Sequence, residues 1–429
     1  MKRYLKLIPF SFRIFHDIFI HSIKCNHISI VEILLADSRI DPSVDDNEAI
    51  KYSARYGWIE IVEMLLKNVR VDPSASNNFA LRHAAENGYL RVVRLLMADP
   101  RVDPSDGDNQ AICYAAERGH LRVVELLMAD SRVDPSAHEN HAIRYAARFG
   151  LVQVVELLLT DSRVDPSAND NSAICYASER GYLGVVKLLL ADSRVDPSVR
   201  NNHAIRYAAQ NGHLRVVEFL LADSRADPSA VDNYSFKFAA QYGYLQIVEL
   251  LIADSRVDPS ADNNNAIRYA ARNKHLSVVE LLLADSRVDP SAYGNHAIEH
   301  AAENGHLEIV KMLIADSRVD PSANDNYALL LAVTNGHHDV VKLLLADRRV
   351  DPSSFDNDAF RAAVTSGHLN IVKTLLADRR VDPSSCISEA IQIASDSGYT
   401  EIVELLLQHS RMHSSVRENH SIRGAVESN

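Results

Sequence analysis

Two arrangements of apolar residues alternate along this chain, and the pair of them recurs every 31 residues. In the stretch from Asp196 to Ala226 the first arrangement is Ala204, Ile205, Ala208 and Ala209, spaced so that all four fall on one face of a helix. The second runs from His213 to about Ala222 and is apolar almost all round through Leu214, Val216, Val217, Phe219, Leu220 and Leu221. Only Arg215 and Glu218 are clearly polar there, so this helix has to be covered on both sides. Between the two stands Gly212, where the chain needs the left-handed conformation that ends the first helix. Ahead of the first helix, Asn202 is placed as an N-cap whose side-chain oxygen accepts from an otherwise unpaired helix N–H. The pattern predicts helix, glycine turn, helix and short turn in each repeat.

Asp-Pro pairs begin at Asp41 and recur without insertion or deletion as far as Asp382, which marks twelve full repeats. Helices of about ten residues are not stable alone, because nucleation costs more than so few bonds return. Stacking is therefore obligatory: the small Ala positions let neighbouring first helices approach, and Val and Leu of the second helices fill the space between layers. This predicts an all-α helical-repeat solenoid with short hairpin turns between helix pairs. Of 14 Pro, 12 belong to the Asp-Pro turns, and of 15 Gly, 11 end first helices, so little sequence remains for another domain. Residues 1–40 read as a degenerate N-terminal capping repeat, with Asn26 at the Gly position and Ile28, Ile30, Val31, Leu34 and Leu35 on the second-helix core. Residues 41–412 hold the twelve repeats, and 413–429 read as a C-terminal half-repeat cap. In the eighth repeat Lys274 stands where Gly is needed, at a cost of about 1–2 kcal/mol if it turns left-handed. The position reads either as a hinge or as tolerated strain.

Charge and cysteine usage narrow the function. Twenty-three repeated Asp against thirteen repeated Arg account for ten of the twelve excess negative charges, so the acidity is a periodic surface stripe. Such a stripe argues against nucleic acid as the main partner. The repeated Arg is expected to bond turn carbonyls or its flanking Asp. Cys113 and Cys175 occupy the same position two repeats apart, too far for a disulfide, and no C-x-x-C spacing offers a zinc site. Four free thiols fit a reducing compartment, cytoplasmic or nuclear. The basic and aromatic segment Met1 to Ile23 is too short and too polar to span a membrane.

The recurring string A-A-x-N-G-H-L-x-V-V-x-L-L-L with its short acidic turn, seen from Ala208 onward, resembles the ankyrin repeat. The usual Thr-Pro-Leu-His opening is replaced by x-Ala-Ile-Arg, and the repeat is two residues short of the usual 33. In both respects it is similar to the short variant of the family found in giant DNA viruses and amoebae. The resemblance implies a non-enzymatic, monomeric scaffold that binds a protein partner in a concave groove lined by first helices and hairpin tips. Carried onto this chain, the groove residues are Phe79, Arg82, His141, Arg144, Arg148, His203, Arg206, Tyr234, Lys237, Arg268, Arg272, Tyr293 and Tyr327, with Phe149 and Tyr242 just before their Gly. Arg and aromatic side chains are the usual interface anchors. The row is mostly basic in an acidic molecule, which points to an acidic or phosphorylated protein partner. Alternatively, Arg82 pairs with Glu86 four residues on.

Motifs for chemistry are sparse, and neither a catalytic set nor a cofactor or metal site is expected. His296-Ala-Ile-Glu299-His300 fits the H-x-x-E-H pattern of some zinc proteases, but repeat register accounts for each of its residues separately. His120, His213, His275, His306, His337 and His368 all open second helices, where the ring can bond nearby backbone groups. At the N-terminus, Leu7-Ile8-Pro9 leading to Ile14, Phe15, Ile18 and Phe19 is similar to the opening helix of an F-box. That similarity supplies the alternative reading of a substrate-binding adaptor of a ubiquitin ligase.

Overall fold

The computed structural model describes residues 10–411. Every regular element among them is helical, in pairs that follow the 31-residue period. The chain divides into two compact blocks, Met1–Ala226 and Asp227–Asn429, the division falling between two repeats. Lys274 lies within the second block.

One repeat shows how the sequence builds the pair. Asp196 accepts from both the backbone N–H and the hydroxyl of Ser198 (2.9 and 2.8 Å), closing the turn after the proline-bearing dipeptide. The chain then winds left-handed through Arg200, Asn201 and Asn202, with φ from 51 to 60°, before the right-handed helix that ends at Gln210. The left-handed turn is closed by Asn202 N–H donating to the Ser198 carbonyl at 2.8 Å. At the far end the N–H groups of Gly212 and His213 donate to the carbonyls of Ala209 and Ala208 (3.2 and 2.9 Å), satisfying two orphan carbonyls while Gly212 sits at φ 78°. The second helix, Leu214–Leu221, follows at once.

The left-handed turn is a correction to the N-cap expectation. Asn occupies its third position in eleven repeats, from Asn47 to Asn357, and from Asn47, Asn109, Asn140, Asn171, Asn233, Asn264, Asn295 and Asn326 the side-chain oxygen reaches forward to the next repeat rather than capping its own helix, whereas Asn78 and Asn357 reach forward through the amide nitrogen. Asn171 accepts from the backbone N–H of Asp196 at 2.9 Å, and Asn140 from that of Asp165 at 2.7 Å. In the second block Asn264 and Asn295 serve Asp289 and Asp320 in the same way, both at 2.8 Å. Asn suits the place twice over, since it tolerates the left-handed region and carries an acceptor for a backbone donor that burial would leave unpaired. In the last full repeat Ser388 replaces it, and a short 3-10 turn Pro383–Ser385 leads into Ile387–Asp396 without the left-handed winding.

Packing follows the apolar pattern. Ala204, Ile205, Ala208 and Ala209 are at most 1% exposed, as are Val216, Val217 and Leu220 of the second helix. Each buried Val, Ile or Leu contributes about 1.5–3 kcal/mol. First helices pack on first helices and second on second, as Val199–Gln210 does on Ala168–Glu179. Helix Phe10–Lys24 enters the stack the same way, burying Phe19 and Ile23, and Asn26 takes φ 53° where Gly57 takes 75° one period later. Residues 413–429 lie outside the described residues, as do Leu7 to Pro9 of the F-box-like string.

The repeats are also tied by polar groups at fixed offsets. Arg194 grips Asp192 through two nitrogens and sends a third to the Val164 carbonyl of the preceding repeat at 2.9 Å. Hydrogen bonding from the guanidinium holds the Asp192 carboxyl below its ordinary range. The Nε2–H of His120 donates to the Glu86 carbonyl at 2.9 Å, and that of His275 to the Gln241 carbonyl at 2.9 Å, in both cases the open end of the previous first helix. The same rings lie where a Cβ on the preceding Gly would stand, 2.5 Å from it at Gly88 and 2.3 Å at Gly243. The glycine is thus required by backbone angle and by the neighbour's ring.

Candidate functional site

The candidate residues outside the core lie on the first helices and on the left-handed turns before them. Position by position they fall into an outer row, such as His141 and His203, a ladder four residues after the Asn, such as Arg144 and Arg206, and a row four residues further on, such as Arg148 and Arg272.

The ladder arginines are less free than their exposure suggests. Arg82 Nε donates to the Asn77 carbonyl at 2.8 Å and a terminal nitrogen to that of Ser76 at 3.0 Å; its other terminal nitrogen meets Gln110 at 2.6 Å. It does not pair with Glu86, which instead meets His83 (2.9 Å) and Arg118 (3.4 Å). Arg206 reaches Asn201 and Arg200, Arg268 reaches Asn263 and Asp262, and Arg144 reaches the His138 carbonyl at 3.0 Å. Each guanidinium caps one or two carbonyls of its own left-handed turn. Lys237 spends its charge on Asp262 of the next repeat at 3.2 Å.

In the first block the outer and inner rows meet over aromatic rings. His141 stacks on Tyr145 at 4.0 Å between centroids and touches Glu117 at 3.2 Å; His203 stacks on Tyr207 at 4.1 Å; Phe79 tilts against His83 at 4.0 Å. Burial pushes the His141 and His203 rings below their ordinary pKa, so both favour the neutral form. Arg148 lies over Tyr145, Tyr176 and the 44% exposed Phe149, at 5.7, 5.3 and 6.0 Å from the ring centroids. It makes no hydrogen bond or ion pair among the described residues. In the second block Tyr234 stacks on Phe238 at 4.1 Å, Tyr242 stands 45% exposed, and Arg272 is exposed, its guanidinium unpaired among the described residues. Tyr293 and Tyr327 project from successive repeats at 61% and 44% exposure.

Sequence reasoning missed the aromatic row that carries these contacts: Tyr114, Tyr145, Tyr176 and Tyr207 in the first block, Phe238 and Tyr269 in the second. Its signal was available, since these residues recur at the same 31-residue spacing and stand four residues after the outer row.

The zinc-protease-like string is a structural set. Glu299 is 4% exposed, accepts from the Asn324 amide at 2.7 Å and lies 3.5 Å from His296; burial raises its carboxyl above the ordinary value. His296 and His300 meet edge to face at 5.5 Å. Among the described residues no group of three His, Cys, Asp or Glu side chains could hold a metal ion. Burial pushes the thiols of Cys113 and Cys175 up to about 12 and about 11, which makes them poor nucleophiles. No described helix is long and apolar enough to cross a membrane.

Helix pairs in strict register, glycine-closed first helices and an adaptable first-helix face define a repeat protein built to present a surface. The family comparison names the class: ankyrin repeats, in arrays of three, match residues 18–108, 81–170, 145–232, 236–325 and 316–386, and the chain belongs to the ankyrin-repeat family as an all-α repeat solenoid. No curated protein matches the chain at a significant level. Ankyrin repeats are interaction modules, and the class supports a protein–protein interaction scaffold.

Proposed function

We propose that the chain is a non-enzymatic, monomeric scaffold that binds a protein through the first-helix face and hairpin tips, and that the partner met in the first block is acidic or phosphorylated. The observation that carries this reading is Arg148, a cation framed by three aromatic rings with no carboxylate of its own among the described residues. A partner carboxylate or phosphate supplies the missing charge, in a setting where ring faces already favour the guanidinium. Arg272 offers a second exposed cation without an ion pair among the described residues, in the second block and without the aromatic frame. The remaining groove residues, Phe79, His141, Phe149, His203, Tyr234 and Tyr242, supply apolar contact around these cations, while Arg82, Arg144, Arg206, Arg268 and Lys237 fix the turns and present the edges of their side chains. The four unpaired cysteines support a reducing compartment, cytoplasmic or nuclear.

The division of labour among the arginines decides the experiment. Reversing charge at the ladder would remove the donors that hold the turns, so a loss of binding there would be ambiguous. Affinity capture is therefore made with the intact chain and with Arg148→Glu/Arg272→Glu, each checked for helicity by circular dichroism. A protein held by the intact chain and retained about tenfold less by the variant supports the reading. Capture of the same proteins by both refutes it. The ubiquitin-ligase alternative predicts that deleting Met1 to Ile23 removes a ligase subunit from the captured set.

A further inference from the structure

Ladder residues and tip residues are paired at an offset of 25. Lys51 Nζ donates to Ser76 at 3.1 Å, and Lys237 to Asp262 at 3.2 Å. In the second block the Arg268 guanidinium lies 5.0 Å over the Tyr293 ring, and Glu299 accepts from Asn324 at 2.7 Å. The next pair in register is Leu330 and Phe355. Here the ladder residue is short and uncharged, and the Phe355 ring is 65% exposed. Leu330 and Phe355 line a hollow of about 200 Å³, open to solvent, with Tyr327 and Pro352 in its wall. Asp325 and Asp358 stand at its edge, exposed and without an ion pair among the described residues.

Two repeats earlier the molecule shows what this register accommodates: a guanidinium lying on the tip aromatic. At Phe355 the aromatic face and two unbalanced carboxylates are in place, and the cation is not supplied by the chain. We propose that an arginine carried by a basic segment of a partner protein fills the hollow, its guanidinium over Phe355 and between Asp325 and Asp358. The inference rests on the scaffold reading and extends it to the C-terminal repeats, which favour the opposite charge from Arg148. A guanidinium fits better than an ammonium because it stacks flat on a ring while donating in its plane to carboxylates at either side.

The test is fluorescence anisotropy with a labelled peptide, Gly-Ser-Arg-Leu-Gly-Arg-Gly, and a twin in which citrulline replaces both arginines, keeping shape and removing charge. The intact chain is expected to prefer the arginine peptide by about tenfold. Leu330→Arg, which places the protein's own guanidinium where Arg268 stands on Tyr293, is expected to erase that preference, and Asp325→Asn/Asp358→Asn to do the same. The second variant decides if the first unfolds. Equal binding of the two peptides to the intact chain, no binding at millimolar concentration, or an undiminished preference in the folded variants overturns the proposal. Because Arg148 and Arg272 lie elsewhere, loss of capture in their variant together with equal binding of the peptides would sink this inference and leave the scaffold reading standing.

Discussion

Replacing Lys274 with Gly is expected to stabilise the protein. Lys274 holds φ 67°, in the region where the equivalent glycines hold 71 to 79°, and a side chain there costs about 1–2 kcal/mol. The gain is reduced by the extra freedom that glycine gives the unfolded chain, about 0.5–1 kcal/mol. A second contribution comes from the following repeat. Its His306 ring donates to the Arg272 carbonyl at 2.8 Å, as rings in other repeats do, although at glycine positions such a ring takes the space of the Cβ. Removing the Lys274 side chain lets His306 settle as His275 does against Gly243. The net expectation is a gain of about 1 kcal/mol, read as a higher urea midpoint at unchanged slope and slower amide exchange in the turn around 274. Because each repeat is held by its neighbours alone, the exchange effect should be confined to adjoining repeats. The reverse change, Gly243→Lys, should cost more than this gain, since its Cβ would lie 2.3 Å from the His275 ring. An unchanged or lowered midpoint for Lys274→Gly would refute the reasoning.

Two further outcomes follow from the same contacts. Asn140→Gly removes the acceptor for Asp165 N–H, at about 1–3 kcal/mol, and loses about 0.5–1 kcal/mol more to unfolded-chain freedom, while Asn140→Ala removes the same acceptor and adds about 1–2 kcal/mol of left-handed strain, so Ala should lose about 0.5–1 kcal/mol more than Gly in the same urea titration; a smaller loss for Ala than for Gly would show that the turn is unstrained. Acid should act first through histidine: burial lowers the pKa of His83, His141, His203, His300 and His306 below the ordinary 6.5. As pH falls through 6.5 the unfolded chain takes the proton before the folded one does, so stability present above that value is lost below it, down to the folded pKa values. The Asp carboxylates held by Arg stay ionised in this window, and melting temperatures level between about pH 7.5 and 5 would contradict the histidine contribution.

The repeat period, both helices, the glycine turn and the buried Ala, Val and Leu positions were legible because each is a local signal multiplied twelvefold. The left-handed turn was not. Its residues, such as Arg200 and Val231, have no preference for that conformation, and the winding is secured by a bond from Asn to the next repeat, which only the folded stack brings together, and by the ladder Arg on the turn's own carbonyls, as Arg206 bonds those of Arg200 and Asn201. For the same reason Arg82 was legible as an exposed cation and not as a clamp on Ser76 and Asn77. Side-chain type shows what a residue can bond, whereas which carbonyls lie within its reach depends on the course of a turn five and six residues away. Arg148 was read in place, but its aromatic frame includes Tyr176 of the next repeat, a contact across 28 positions that spacing alone does not reveal.

The polar ties between repeats run at offsets of 25, 30 and 34 residues, as in Asn140 to Asp165, Val164 to Arg194 and Glu86 to His120. Removing 31 residues hands each severed group an equivalent partner from the repeat that moves up. Removing 30 or 32 puts every tie at that junction out of step at once. The chain is therefore quantised in length: it can be shortened or extended by whole links with its joints intact, and a partner that reads the spacing of Arg148 or Phe355 would sense such a change as a shift of one link.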